Sequence, residues 1–242
     1  MNRSGEAASI FDILRFARRL LPVERVELGV LAAVFTGAVA ALCFGLIASE
    51  VLEGDTRAFD RAVLLAFRDP ASLADPLGPA WFEGAVRDVT SLGGAAVLIL
   101  IVALSAGYLV LDGKRASAAL LLASVIGGSA MSQLMKAVFG RARPDIVPHL
   151  MTETSLSFPS GHAMNSAVLY LTLGALLARA QDGRRQQAYV FGAALLVALI
   201  VGLSRVYLGV HWPTDVLAGW SVGAAWAMGC LLAATWLERR RA

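Results

Sequence analysis

The side chains in this sequence able to do nucleophilic or acid–base chemistry fall into two short segments. All three histidines, His149, His162 and His211, lie within 136–162 and 205–215, together with Lys136, Arg141, Arg143 and Arg205. His211 and Asp215 are four residues apart, with Pro213 near a first helical turn, where proline is tolerated. A carboxylate so placed accepts the N–H of one imidazole nitrogen and leaves the other as a lone pair, the orienting logic of hydrolytic triads. Arg205, beside Ser204, stands one short turn away and faces the same pocket. Lys136 and Arg143 are seven residues apart and share a helix face if that helix runs to about Gly140 and the chain curls at Pro144, so both reach one anion. In Pro159-Ser160-Gly161-His162 the proline and glycine permit a tight bend. The N–H groups of Ser160, Gly161 and His162 are then expected free at a helix N-terminus, an anion site, with Ser160 also suited to capping.

Histidines and an aspartate are also zinc ligands, but three cations beside them oppose a dication, so neither a metal nor another cofactor is expected. The same cations suit a phosphoryl group in transit. The expected chemistry is in-line attack on phosphorus, with cations and N–H donors stabilising charge on the equatorial oxygens. The residues alone do not decide which histidine attacks; the carboxylate at i+4 favours His211. His149, between Pro148 and Leu150, is expected to face solvent, and Arg141 to contact phosphate or lipid headgroups without a catalytic part.

The elements that position these groups are membrane spans. Of 242 residues, 57% are apolar and 16% charged, against about 25% charged in soluble chains. That composition argues against disorder, coiled coil and nucleic-acid partners. Charge-poor runs at 28–48, 89–111, 116–135, 163–178, 188–204 and 216–237 give six spans, the shorter two extended by Arg179 and by Gln186 or Gln187. The expected class is an all-α, six-helix transmembrane bundle with its active site at the outer ends of the helices. Six spans put both termini on one side with most arginines, which reads as cytoplasmic. Outer loop 50–88 holds eight acids to four arginines, and Lys136, Arg141, Arg143 and Arg205 break the positive-inside trend on that same face. Charges at the mouth of a bundle mark a binding site; because they stop at the span ends instead of recurring at mid-span, a transport pathway is disfavoured.

Three regions follow: a basic amphipathic arm at 1–26, its apolar and arginine residues at 10–21 suiting the inner leaflet; a membrane domain at 27–238; and a basic tail at 239–242. Within the outer loop 59–67 reads as a short helix, 69–79 as punctuated loop, and Trp81 and Phe82 as interfacial anchors. Cys43 and Cys230, inside apolar runs, read as small core residues.

Lys136, six residues and Arg143-Pro144; Pro159-Ser160-Gly161-His162; and Ser204-Arg205, five residues, His211, three residues, Asp215 together resemble the three-part signature of the type 2 phosphatidic acid phosphatase superfamily, complete at every defining position. The resemblance implies a metal-independent membrane lipid phosphatase of bacterial type in the inner membrane. It implies His211 as the nucleophile forming a phosphohistidine, Asp215 as its orienting carboxylate, and His162 as the acid that protonates the leaving oxygen and later activates water. Lys136, Arg143 and Arg205 clamp the phosphoryl oxygens, with Ser160 and Gly161 adding hydrogen bonds. The partners are the bilayer and a lipid phosphate, of the phosphatidate, phosphatidylglycerol phosphate or undecaprenyl pyrophosphate type; no residue reads glycerol against isoprenoid. A lipid phosphotransferase using the same intermediate is the alternative, and oligomeric state is left open.

Overall fold

A computed structural model describes residues 25–241. The arm expected at 10–21 lies outside the described residues. Backbone polar groups in hydrocarbon must be satisfied within their own segment, so the apolar runs form helices. Eight helices are described: α1 (Arg25–Glu53), α2 (Arg57–Leu65), α3 (Ala80–Ser91), α4 (Ala95–Leu111), α5 (Arg115–Phe139), α6 (Gly161–Arg179), α7 (Arg184–Tyr207) and α8 (Pro213–Arg241). Helices α1, α5, α6, α7 and α8 are each long and apolar enough to cross a membrane, and α3 with α4 forms a bent pair that makes a sixth. The expected all-α class and span order therefore hold.

Three local expectations change. The run at 89–111 is not one helix: α3 and α4 meet at 47°. Gly94 is extended (φ −76°, ψ 148°), and Gly93 lies so close to Val201 and the His162 ring that a Cβ there would stand 3.2 Å from His162 Cδ2. Close packing against α7 and α6 thus replaces helix continuity at the break. Second, the loop at 69–79 contains an antiparallel pair, β1 (Arg68–Asp69) with β2 (Ser72–Pro76). Its tight turn is closed by Asp69, whose Oδ1 accepts the Ala71 N–H at 2.8 Å. Third, the basic tail continues α8 as far as Arg241, Arg240 lying over the Trp236 ring at 3.6 Å; cations suit a helix C-terminus.

Helix α6 is central, against α5, α7 and α8, while α1 lies along α8. The buried face of α6 includes Ala163, Met164, Ala167, Val168 and Leu171. Leu31, Phe35, Leu42 and Leu46 of α1 remain exposed, as a lipid-facing surface requires. Cys43 is exposed and Cys230 half-buried, so neither is the core residue expected; both are free thiols. Without a hydrophobic driving force in lipid, α6 and α8 associate by close approach at small residues. A Cβ on Gly219 would stand 2.7 Å from the Ser160 carbonyl oxygen, and one on Gly223 the same distance from that of Met164. This contact sets the start of α6 against the start of α8. Gly219→Val is expected to cost about 1–3 kcal/mol through overpacking and to impair activity, read from thermal unfolding and turnover in detergent.

Candidate active site

The C-terminal ends of α5 and α7 meet the N-terminal ends of α6 and α8 at one level of the bundle, bringing together the residues singled out above. Helix α5 ends at Gly140, whose left-handed backbone (φ 60°) returns its N–H to the Lys136 carbonyl at 3.1 Å. This is where the sequence places the end of the helix, and Lys136 is buried on its last turn.

His211 lies two residues before α8 and is 1% exposed; Asp215, in the first turn, is fully buried. Asp215 Oδ2 accepts the Trp212 N–H at 2.9 Å, the reach-back of a third-position acid to the N-cap amide. The same oxygen faces His211 Nδ1 at 3.3 Å and accepts the Ser157 hydroxyl. Nδ1 therefore carries the ring proton, and the lone pair of Nε2 faces the cations, with Arg143 Nη1 at 3.2 Å. Burial pushes the His211 imidazole down to about 4, with the Asp215 carboxylate opposing and the Arg143 and Arg205 guanidiniums adding to the depression.

Arg143 is oriented by its Nε bond to the Ser155 carbonyl (2.7 Å) and by an Nη1 bond to the Val210 carbonyl (2.6 Å). Lys136 Nζ donates to Ser155 Oγ at 3.2 Å and to the Leu156 carbonyl. Arg205 is fully buried and donates to Thr90 Oγ1 at 3.2 Å and, by Nη2, to Glu153 Oε1. Glu153 Oε2 accepts from Arg143 Nη2 at 3.3 Å, so one carboxylate bridges two cations that stem from different elements. Burial alone would push the Glu153 carboxyl up, but the paired Arg205 outweighs it with help from Arg143, and the group sits below the usual carboxylate range. The seat these cations form is complementary to a compact oxyanion.

His162, in the first turn of α6, has no side-chain hydrogen-bond partner among the described residues and packs beside Gly93 at the helix break. Its ring lies among Arg205, Glu153, His211 and Arg143. Ser160 corrects one expectation: its N–H is not free but donates to the Asp215 carbonyl at 2.9 Å, and its hydroxyl accepts the Ala163 N–H at 3.5 Å as an N-cap. Helix capping and a tie to α8 outcompete an open amide there; the N–H groups of Gly161 and His162 remain the unpaired ones of that terminus among the described residues. His149 is exposed as expected, its Nε2 donating to the Pro144 carbonyl at 2.6 Å. Arg141 is not turned to headgroups: it donates to Asp215 Oδ1 at 2.6 Å and to Asp60 Oδ2 at 2.7 Å. Arg141 lies just past the last residue of α5, Phe139, where helical spacing assigns it no face, so only the packed loop reveals its carboxylate partners.

Asp60, Thr90, Glu153 and Ser157 complete the site, and no motif in the sequence marks them. Asp60 is one acid among several in an acidic loop, Ser157 stands among turn residues and Thr90 in an apolar run. For Glu153 a signal existed: three clustered cations require a nearby carboxylate.

The PAP2 superfamily pattern matches residues 117–239, from α5 through α8. This chain belongs to the PAP2 superfamily. Among its relatives, phosphatidylglycerophosphatase B of Bacillus subtilis is 37% identical over 59% of this chain and 70% of its own. The undecaprenyl-diphosphatase of Sulfolobus acidocaldarius is 32% identical over 43% of this chain and 48% of its own. The crystal structure of a transmembrane PAP2-type phosphatidylglycerolphosphate phosphatase from Bacillus subtilis superposes with a TM-score of 0.73 at 27% identity, covering 85% of this chain and 97% of that one.

In the free protein the His211 ring is expected to stay neutral well below pH 6.5 and to protonate at about 4, seen in histidine-labelled NMR as a resonance that titrates at that pH and is absent in His211→Ala. Because its folded value lies below its unfolded one, the stability it contributes is complete above pH 6.5 and is lost as pH falls toward 4. Glu153→Gln should tighten inhibition by vanadate several-fold, since the bridging carboxylate competes with an oxyanion for Arg143 and Arg205; unchanged or weaker inhibition contradicts that competition.

Proposed function

We propose that this protein is a metal-independent lipid phosphatase of the membrane that removes a terminal phosphate through a phosphohistidine on His211. The observation that carries the reading is the His211 ring, its Nδ1 held by Asp215 and its Nε2 turned to the Arg143, Arg205 and Lys136 seat. The lone pair on Nε2 attacks phosphorus as the bond from phosphorus to the lipid oxygen breaks, and His162 gives its proton to that departing oxygen. In the second half, His162 takes a proton from water, the water oxygen bonds to phosphorus and the P–N bond breaks, releasing phosphate. Lys136, Arg143, Arg205 and the amides of Gly161 and His162 bear the equatorial charge throughout. Ser160 supports the reaction by capping α6.

The membrane domain is 27–238, flanked by the arm at 1–26 and the tail at 239–242, with both termini cytoplasmic and the seat facing the periplasm or exterior of the inner membrane. Arginine placement supports that orientation. The site lies at helix ends, so a phosphate meets water while the acyl or prenyl tail stays in lipid between helices. The names of the relatives support phosphatidylglycerol phosphate and polyprenyl diphosphate as the substrates to test first, with phosphatidate beside them.

The test is phosphate release from these three lipids by the detergent-solubilised protein in EDTA. Wild type is expected to be active and His211→Ala to lose at least about 1,000-fold, the scale of losing a triad nucleophile. Activity that survives in His211→Ala removes the nucleophile assignment, and loss in EDTA restored by a divalent metal removes the metal-independent reading.

A further inference from the structure

The first outer loop carries charges that no reaction step uses, yet two of them are fully or almost fully buried. Arg68 of β1 donates to the Tyr207 carbonyl at 2.8 Å and so caps the C-terminal end of α7. Asp60 of α2 is 0% exposed and grips the N-terminal end of α8: Oδ1 accepts the Thr214 N–H at 2.9 Å and Oδ2 the Thr214 hydroxyl at 2.8 Å. An acid at a helix N-terminus and a base at a C-terminus each complement the local dipole, so a structural brace already explains part of this. It does not explain Arg141. The Arg141 fork spans two carboxylates, Nη2 on Asp60 Oδ2 and Nη1 on Asp215 Oδ1, with Thr214 Oγ1 taking a further Nη1 bond at 2.8 Å. Asp60, Arg141, Thr214 and Asp215 have no unpartnered buried side-chain atom among the described residues.

We propose that Asp60 is a positioning residue for the reaction at His211, acting through Arg141 on Asp215. Arg141 holds Asp215 Oδ1, which leaves Oδ2 to His211, Ser157 and the Trp212 amide. Asp60 does two things to that arm. It fixes the guanidinium plane by taking one end of the fork, and it shares the Arg141 cation, so that Asp215 keeps its negative charge for the imidazole. The planar guanidinium presents its two ends to the two carboxylates in a fixed geometry, which a flexible ammonium would not hold. The inference rests on the reading of His211 as the nucleophile.

Asp60→Asn keeps the shape and the Thr214 amide bond but gives up the charge, so Arg141 bears on Asp215 alone. The kcat should fall about 10- to 100-fold, as when a group orienting a ligand from behind is lost, with KM and vanadate inhibition little changed because the cation seat is untouched. His211 titration reads whether the charge of this arm reaches the ring, and together with kcat it tests the positioning role. Arg143, Arg205 and His162 bear on the His211 ring from the 140–160 loop, α7 and α6, with Glu153 and Lys136 set around those cations, and neither variant alters them. Asp60→Asn should therefore move His211 protonation to lower pH, and Arg141→Gln should move it to higher pH. Shifts in the same direction, or none, overturn the proposal, as does unchanged kcat in Asp60→Asn when His211→Ala is inactive. If His211→Ala itself remains active, it is the nucleophile reading that fails. A variant that retains vanadate inhibition is folded at the site, so its kcat and titration are decisive; should Asp60→Asn lose vanadate inhibition while Arg141→Gln keeps it, a brace alone is the better account and the proposal falls.

Discussion

Three cations converge on one water-poor seat, and their mutual repulsion is the constraint the rest of the site answers. Two like charges about 4 Å apart at an effective dielectric near 20 repel by about 4 kcal/mol, so Lys136, Arg143 and Arg205 are tolerable together only with anions and fixed dipoles around them. Glu153 bridges two of them, the Ser155 and Leu156 carbonyls hold Arg143 and Lys136, and Asp215 adds charge behind His211. Each cation stems from a different element, which obliges four helix ends to lie at one level. The small-residue approach of α8 to α6 at Gly219, and the break between α3 and α4 beside His162, are the packing terms that allow it.

The loop between α1 and α4 is the second tier of this design. Its acids and arginines would be ordinary solvated charges in isolation, but Asp60 and Arg68 are consumed at the two helix ends that flank His211. The connection between α7 and α8, which carries His211, is thereby held from outside the membrane as well as from within the bundle. An aromatic group does similar work on the other flank: Phe139 and Phe158 lie 4.8 Å apart, with Phe44 of α1 against both, fastening the end of α5 to the segment that leads into α6.

In the proposed reaction these features have a kinetic meaning. A buried imidazole that stays neutral keeps its lone pair available at neutral pH, while the carboxylate behind it favours the positive charge that develops as phosphorus is attacked. The Glu153 carboxylate occupies the two guanidiniums until a phosphoryl group takes its place, so the seat is assembled before substrate arrives and little reorganisation accompanies the chemistry.

The span order, the helix class, the end of α5 at Gly140 and the juxtaposition of Lys136, Arg143, His162, Arg205, His211 and Asp215 were all legible in the residues. Hydrocarbon leaves an apolar run one backbone solution, and charges at the ends of such runs can only meet at a membrane face. Period and spacing are local properties, and they reach that far. What they miss is pairing between distant elements. Asp60 finds Arg141 and Thr214 across the fold, Glu153 finds Arg205, and Thr90 finds the same arginine from α3. The Ser160 amide is taken by a carbonyl on α8. By itself the sequence determined which helices cross the membrane and which charges sit at their ends. Tertiary structure decided which of those charges compensate one another, because an ion pair depends on distance and burial in three dimensions and leaves no periodic trace in one.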